Sequence, residues 1–178
     1  MNKYVVLIGL PGSGKSTLSN MLVKKKKAKG VLSIGSFREL IVTLMPAKLN
    51  VIIKEDLAWE LFRSSIAHLS CLCPLIINTI LINLCGVNGR EQKVLEELEN
   101  LGSTFIKLIC NEEELLKRVK NREKEPGWFP YKITYENIIR QGFRKNIKIL
   151  KSDLVLKTDK ETKEACYDQI IKILERKG

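Results

Sequence analysis

Aspartate and histidine are the scarcest functional residues of this chain. Its 178 residues include one histidine and four aspartates: Asp56, Asp153, Asp159 and Asp168. None of these aspartates ends an apolar run that could be a buried strand, so the acid of a Walker B motif is missing. The D-x-x-G and N-K-x-D motifs of GTPases are also absent. These absences argue against a GTPase switch, and the short chain argues against a motor or large ATPase.

The cysteines predict neither a disulfide framework nor a zinc site. Five is an odd number, and the first two are separated by one residue instead of two. The single histidine, His68, is predicted to lie in a helix as an ordinary packed or surface side chain. We therefore expect reduced, structural cysteines at all five positions: Cys71, Cys73, Cys85, Cys110 and Cys166.

Long apolar runs are also lacking. The longest candidate, 73–87, contains Asn78, Asn83 and Gly86 and falls short of the roughly 18 apolar residues that a membrane helix needs. The charged and then apolar start, "MNKYVVLIGL", continues directly into a glycine-rich segment, so we interpret it as a buried first strand. We expect one domain over residues 1–178, in the cytoplasm and working as a monomer.

The net charge of +11 is the chain's least ordinary global feature. It favours anionic partners, and nucleotides, nucleic acids and acidic proteins all qualify. Part of the charge lies in "KKKKAKG", from Lys24 to Gly30. We interpret this run as a solvated helix end capped by Gly30. Contact with a nucleic-acid backbone is the alternative, and we favour a small-molecule nucleotide as partner.

Short apolar segments alternate with segments of helical period along the chain. Strands are predicted at 4–9, 31–34, 74–81, 104–110 and 154–156. Helices are predicted from about 15, from 36, at 54–70, at 91–101, from 111, at 134–151 and at 161–176. Strands buried on both faces and separated by helices indicate a parallel sheet. The predicted fold is an α/β protein with three α/β/α layers and a five-stranded parallel sheet.

A phosphate-binding loop (P-loop) follows the first predicted strand. The pattern G-x-x-x-x-G-K-[ST] is complete, and it stands between an apolar strand and a helix, as this motif requires. Glycines let successive backbone N–H groups turn towards an anion at a helix N-terminus. With Thr17, the predicted ATP-binding residues are Gly9, Pro11, Gly12, Ser13, Gly14, Lys15 and Ser16. Lys15 would reach the outer phosphates and Ser16 would bind Mg²⁺.

Five segments carry a resemblance to a known family: "IGLPGSGKSTL", "LSIGSFREL", "NGREQKVLEELENLG", "NEEELLKRVKNR" and "ENIIRQGFRKN". Over nearly its full length the chain resembles the nucleoside monophosphate kinases, adenylate and cytidylate kinase in particular. The resemblance implies a P-loop NTPase fold, ATP and Mg²⁺ as cofactors, and a short lid at about 122–134. It also implies transfer of the γ-phosphate of ATP to a nucleoside monophosphate.

The resemblance assigns three residues to the acceptor. Arg38 would hold the acceptor's phosphate, Arg90 would contact the same phosphate, and Gln92 would contact its base. Arg90 and Gln92 lie closer together here than the corresponding arginine and glutamine in the family.

The resemblance assigns two pairs of arginines to the nucleotide at the lid. Arg118 and Arg122 lie four residues apart, and so do Arg140 and Arg144. Phosphoryl transfer spreads negative charge over three oxygens, and guanidinium groups bind phosphate bidentately where lysine is a point charge. A surface ion pair is the plainer interpretation of a helical arginine at this spacing.

The third predicted strand ends without the family's aspartate. The segment "PLIINT" offers Asn78 where that aspartate would help to hold Mg²⁺ through water. Asn78 is therefore the candidate metal residue beside Ser16, although an amide brings no charge.

The acceptor is predicted from the missing acids. A hydroxyl must lose a proton, and its kinases generally position a carboxylate near the end of the second strand. The nearest acid here is Glu39, beyond Arg38. A monophosphate has its second pKa near about 6 and arrives ionised. This favours a phosphate acceptor. The alternative is a kinase of hydroxyl groups, such as a polynucleotide 5′-hydroxyl kinase, a zeta-toxin-like kinase or a small-metabolite kinase. An ATP-binding module with little turnover is the third hypothesis.

Overall fold

The computed structural model describes residues 4–46, 48–72, 80–84, 89–120, 135–144 and 152–177. In these ranges the strands are β1 (Tyr4–Ile8), β2 (Gly30–Ser33), β3 (Ile80–Leu84), β4 (Thr104–Ile109) and β5 (Leu154–Lys157). The helices are α1 (Lys15–Lys24), α2 (Ile34–Leu44), α3 (Val51–Leu72), α4 (Gly89–Asn100), α5 (Glu112–Lys120), α6 (Tyr135–Arg144) and α7 (Lys163–Lys177).

The strands form one parallel sheet in the order β2-β3-β1-β4-β5. β1 lies at its centre, with Leu7 paired to Asn83 of β3 and to Ile106 of β4. All strands point the same way, so their carboxyl ends meet at one edge. The predicted α/β class with a parallel sheet is confirmed.

Alternation along β1 separates two hydrophobic cores. Tyr4, Val6 and Ile8 pack in a cluster with residues of α2, α3 and α4. Val5 and Leu7 pack on the other face, in a cluster with residues of α1 and α7. The Tyr4 hydroxyl also donates a buried hydrogen bond of 2.7 Å to the Ile66 carbonyl, which ties the central strand to α3. Helices therefore cover both faces of the sheet.

The third strand extends three residues beyond its predicted end, from 81 to Leu84. It runs from Ile80 to Leu84, and the predicted 74–81 overlaps it only at its first two residues. The segment "LIINTILINL" is a nearly continuous apolar run, which has no period that could fix a register. Pairing with Tyr4 to Ile8 of β1 selects the later half. Residues 73–79 lie outside the described ranges.

Local capping agrees with the sequence at α5 and differs at α1. In the sequence, Asn111 starts a predicted helix with Glu114 three residues on, a spacing that indicates a capping pair. Asn111 Oδ1 accepts a hydrogen bond of 2.8 Å from the Glu114 amide, so Asn111 caps α5. Helix α1 ends at Lys24 with Lys25 as its C-cap, whereas Gly30 begins β2. The predicted cap role of Gly30 is therefore wrong. The lysines of the run are exposed, as predicted: Lys24, Lys25, Lys26, Lys27 and Lys29.

None of the helices in the described ranges combines the length and apolarity that crossing a lipid bilayer requires.

The buried side chain of Phe62 offers a test of the core that α2 and α3 form with the sheet. Its side chain is fully buried, with ring centroids 5.6 Å from Phe37 and 5.7 Å from Trp59. We expect Phe62→Ala to lower the free energy of unfolding by about 3–5 kcal/mol, because it leaves a cavity that these rings cannot close. Denaturant titration measures the change. The neighbouring Leu61→Ala, at a 40% exposed position, should stay within about 0.5 kcal/mol. Equal effects of the two variants would contradict the described packing.

Candidate active site

The P-loop turns sharply between β1 and α1. Gly12 and Gly14 have φ angles of 86° and 94°, in the left-handed region that favours glycine. The Ser13 amide donates to the Leu10 carbonyl at 3.1 Å, which closes the turn before Lys15 begins the helix. The predicted strand, loop and helix are thus all present. The first backbone amides of α1, which have no partner within the helix, lie next to the loop.

Neighbouring backbone holds this turn closely. A Cβ atom on Gly9 would lie 2.5 Å from Ser13 Oγ and 2.7 Å from the Leu108 carbonyl of β4. A Cβ atom on Gly12 would lie 3.2 Å from the Leu115 carbonyl of α5. Only glycine fits at Gly9 without a shift of backbone. The loop is therefore fixed in position before any ligand arrives.

The Lys15 ammonium folds over the P-loop. It donates to the Gly9 carbonyl and, at 3.1 Å, to the Leu10 carbonyl. Carbonyl oxygens are neutral acceptors, and phosphate oxygens form stronger, charge-assisted hydrogen bonds with an ammonium. Lys15 can therefore exchange these loop carbonyls for the outer phosphates of a nucleotide.

Among the described residues, two cavities adjoin the P-loop. The loop cavity, of about 150 Å³, is lined by Pro11, Gly12, Ser13, Gly14, Lys15, Ser16, Thr17 and Tyr135. The side cavity, of about 430 Å³, is lined by Gly12, Gly14, Thr17, Leu18, Arg118, Thr158, Glu161, Lys163 and Cys166. They share Gly12, Gly14 and Thr17, so both cavities adjoin the same part of the P-loop and α1. The side cavity has the size of a small-molecule site.

Arg118 of α5 forms part of the side cavity's wall. Its guanidinium donates to the Gly12 carbonyl at 3.3 Å, to the Thr158 carbonyl at 2.8 Å and to Glu114 Oε1 at 2.8 Å. These bonds connect α5, the P-loop and the segment that follows β5. The structure thus places Arg118 beside the P-loop, and its contact with a nucleotide stays a prediction.

Arg140 lies elsewhere on the surface in this structure. Its guanidinium pairs with Glu136 at 2.8 Å and lies 3.8 Å from Glu112, with about half of its side chain exposed. It lines neither cavity. The plainer interpretation of an i,i+4 ion pair describes its position here.

Arg38, the predicted acceptor residue, is engaged by another side chain. Its guanidinium forms a bidentate pair with Glu55 of α3, and the Trp59 indole donates to the same carboxylate at 2.8 Å. The Arg38 side chain is only 11% exposed. The structure therefore places Arg38 in an ion pair between α2 and α3.

The remaining predicted residues fall wholly or partly outside the described parts of the chain. Arg122, Asn78 and the predicted lid at 122–134 lie outside the described ranges. Arg90 and Arg144 lie in α4 and α6, Arg144 as the last residue of α6, and their side chains are not described; Gln92 is exposed on α4. Asn78 was chosen as a residue at the carboxyl end of the third strand. That reason was wrong, because β3 runs from Ile80 to Leu84.

The loop cavity fits a nucleotide phosphate with Mg²⁺. Close packing at Gly9 and Gly12 holds the loop whose backbone amides would bind an anion. Ser16 is exposed and lines this cavity. Within the described ranges no three His, Cys, Asp or Glu side chains gather as a metal site. A magnesium ion would therefore be held by Ser16, phosphate oxygens and water.

Sequence reasoning missed the wall contributed by the segment after β5. Thr158, Glu161, Lys163 and Cys166 line the side cavity, yet no motif marks them. The available signal was topological: the carboxyl end of β5 lies at the same sheet edge as the P-loop. Cys166 is buried as expected for a structural cysteine, and it also lines this cavity.

Comparison with known proteins agrees with this geometry. A family model described as an AAA domain, AAA_18, matches residues 5–138, which is most of the chain. The chain belongs to the AAA_18 family. No curated protein matches this AAA_18 chain by sequence.

Solved structures of small kinases share the fold of this AAA_18 chain. A sugar kinase from a Janibacter species has a TM-score of 0.63 at 19% identity, covering 98% of this chain and 95% of that one. Shikimate kinase from Aquifex aeolicus has a TM-score of 0.62 at 19% identity, covering 97% of this chain and 96% of that one. A gluconokinase from Sinorhizobium meliloti has a TM-score of 0.60 at 14% identity, covering 98% of this chain and 93% of that one. The fold is that of the P-loop kinases.

Gly9→Ala should disrupt the phosphate site. The added methyl group would meet Ser13 Oγ and the Leu108 carbonyl, so the loop backbone must move. We expect affinity for ATP to fall at least about tenfold, as measured by titration with a fluorescent ATP analogue. Gly30→Ala is the matched control, since a Cβ atom there has no heavy atom within 4 Å. Unchanged affinity in Gly9→Ala would contradict the close packing of the loop.

Cys166 should react slowly with thiol reagents. Burial, with the nearby Glu161 carboxylate, raises its pKa to about 11, so the thiol stays protonated at neutral pH. Because the thiolate is the nucleophile, we expect its alkylation rate to keep rising up to pH 10. In the urea-unfolded chain, the alkylation rate of the same residue should level off near pH 9, because the ordinary pKa of a thiol is about 8.5. Peptide mass spectrometry after iodoacetamide measures both. A plateau below pH 9 in the folded chain would refute the shift.

Proposed function

We propose that this protein is a kinase that transfers the γ-phosphate of ATP to a small acceptor. One observation carries the proposal: the loop cavity, lined by the P-loop, shares three lining residues with the side cavity, which Arg118 also lines. The first has the donors for a triphosphate, and the second has the volume for a nucleoside. Membership of AAA_18 and the P-loop kinase fold support the same proposal.

The chain's own residues would position and neutralise the transferred phosphate. The amides of Gly12 to Ser16 would bind the β- and γ-phosphates, and Lys15 would leave the loop carbonyls to join them. Ser16 would hold Mg²⁺, and the ion would supply additional positive charge. Catalysis of phosphoryl transfer needs little beyond such positioning and charge. The described residues near the loop meet these requirements.

We propose a phosphate monoester, such as a nucleoside monophosphate, as the acceptor. β2 ends at Ser33, whose hydroxyl accepts a hydrogen bond of 3.3 Å from the Gly35 amide as the cap of α2. Gly35 and Ser36 follow, and Glu39 is exposed on the helix. This segment therefore supplies no carboxylate base for a hydroxyl. An acceptor that arrives ionised needs none.

A hydroxyl acceptor is the second candidate, and the Arg38–Glu55 pair favours it. The Arg38 guanidinium is occupied by a carboxylate, so it is not poised to bind an acceptor phosphate. The similar structures named above are kinases of a sugar, of shikimate and of gluconate, all of which carry hydroxyl groups. Either acceptor uses the same donor site.

Transfer of labelled phosphate tests the proposal. Purified protein with Mg²⁺ and γ-labelled ATP is offered AMP, CMP, UMP, GMP, shikimate, gluconate, glucose or a 5′-hydroxyl oligonucleotide. We expect label in a nucleoside monophosphate, and at least a hundredfold less with Lys15→Ala, because one phosphate-neutralising charge is lost. Lys24→Ala, at the exposed end of the same helix, should retain the rate.

The outcomes separate the candidates. Label only in a sugar, an organic acid or the oligonucleotide would replace the monophosphate acceptor with a hydroxyl acceptor. Tight ATP binding with no transfer to any acceptor would favour an ATP-binding module. Transfer that Lys15→Ala leaves intact would refute the P-loop as the donor site.

A further inference from the structure

Glu161 is a fixed carboxylate in the wall of the side cavity. Its Oε2 accepts hydrogen bonds from the Gln169 amide group and, at 3.8 Å, from the Cys166 thiol. Its Oε1 accepts a long bond of 3.4 Å from the Lys157 backbone amide. An ionised carboxylate has about four acceptor positions, so these three donors leave Glu161 able to accept a further one. Its position is held by protein contacts, while this capacity remains for a ligand.

Glu161 is placed away from the phosphates. It lines the side cavity and does not line the loop cavity. A triphosphate in the loop cavity would therefore present its nucleoside, not its phosphates, to Glu161. A carboxylate at this place would repel phosphate, and it suits an N–H donor on the nucleoside.

Arg118 and Glu161 lie in one wall. The Arg118 guanidinium is bound to the Thr158 carbonyl, and Glu161 follows Thr158 by three residues in the same connection between β5 and α7. A planar guanidinium favours the face of an aromatic base. A base stacked on Arg118 would turn its edge towards this connection, where Glu161 is the carboxylate that lines the cavity.

We propose that Glu161 selects the phosphate donor by accepting a hydrogen bond from the exocyclic amino group of its base. The inference rests on the proposed function, since it concerns the nucleotide of that same site. Adenine offers such a group. A base with a carbonyl at that position would place an acceptor against the carboxylate, and the two would repel each other. The residue would thus exclude donors such as ITP from a cavity that is large enough to hold them.

Direct binding of donor analogues tests this inference. Calorimetry compares ATP with purine riboside triphosphate, which lacks the amino group, and with ITP, which has a carbonyl there. We expect the native protein to bind ATP about tenfold or more tightly than purine riboside triphosphate, with ITP weaker still, as expected for a hydrogen bond to a charged group. Binding is measured in place of turnover, so no acceptor needs to be known.

Three variants show whether Glu161 causes the preference. Glu161→Ala should reduce the preference for ATP over purine riboside triphosphate to less than about threefold. Glu161→Gln keeps the shape and one acceptor oxygen, so it should retain an intermediate preference and lose the penalty against ITP. Glu175→Ala removes an exposed carboxylate of α7 that lies outside the cavity, and it should match the native protein. Thermal unfolding confirms that each variant is folded, and Glu161→Gln decides alone if the alanine variant is not.

The failures are distinguishable. No ATP binding by the native protein would refute the proposed function itself. ATP binding with the same preference in native, Glu161→Gln and Glu161→Ala would overturn only the role of Glu161. In another outcome, the Glu161 variants lose discrimination between ATP and 2′-deoxy-ATP while the base preference stays unchanged. That result would also overturn the role of Glu161, because the carboxylate would then contact the ribose.

Discussion

The close contact of the P-loop backbone with β4 and α5 is the constraint on which the rest of the site depends. Gly9 lies so close to the Leu108 carbonyl that a side chain has no room, and Gly12 lies close to the Leu115 carbonyl with a φ angle that favours glycine. Because both neighbours belong to regular elements, the loop cannot adjust by relaxing into empty space. Its amides are thus oriented before a nucleotide binds. This preorganisation supplies most of what phosphoryl transfer asks of a protein.

The side cavity follows from the same packing, through bonds between α5 and the end of β5. The Thr158 amide donates to the Ile109 carbonyl at 2.9 Å, and Asp159 accepts from the Asn111 side chain at 2.8 Å. Arg118 completes the connection by bonding Thr158 and the P-loop. Residues from three distant parts of the chain thereby form one wall. The nucleoside and the phosphates would be held by elements that share the edge of one sheet.

Sequence reasoning succeeded where short-range pattern decides the structure. The P-loop, α1 and the capping of α5 by Asn111 each depend on residues within a few positions, and all are present. It failed where long-range pairing decides. The apolar run before Leu84 could supply a strand in several registers, and only pairing with β1 selects 80–84. Glu55 lies 17 residues from Arg38, and no spacing rule connects them.

The Arg38–Glu55 pair governs what the acceptor side can bind. Arg38, Lys54 and Glu55 line a space of only about 20 Å³, which is near the volume that one water needs and too small for a phosphate. A phosphate acceptor would have to separate α2 from α3 and share Arg38 with a carboxylate that Trp59 also holds. Leaving Glu55 buried without its cation would be costly. A phosphate acceptor therefore requires the α2–α3 hairpin to open on binding, whereas a neutral acceptor could leave the ion pair closed.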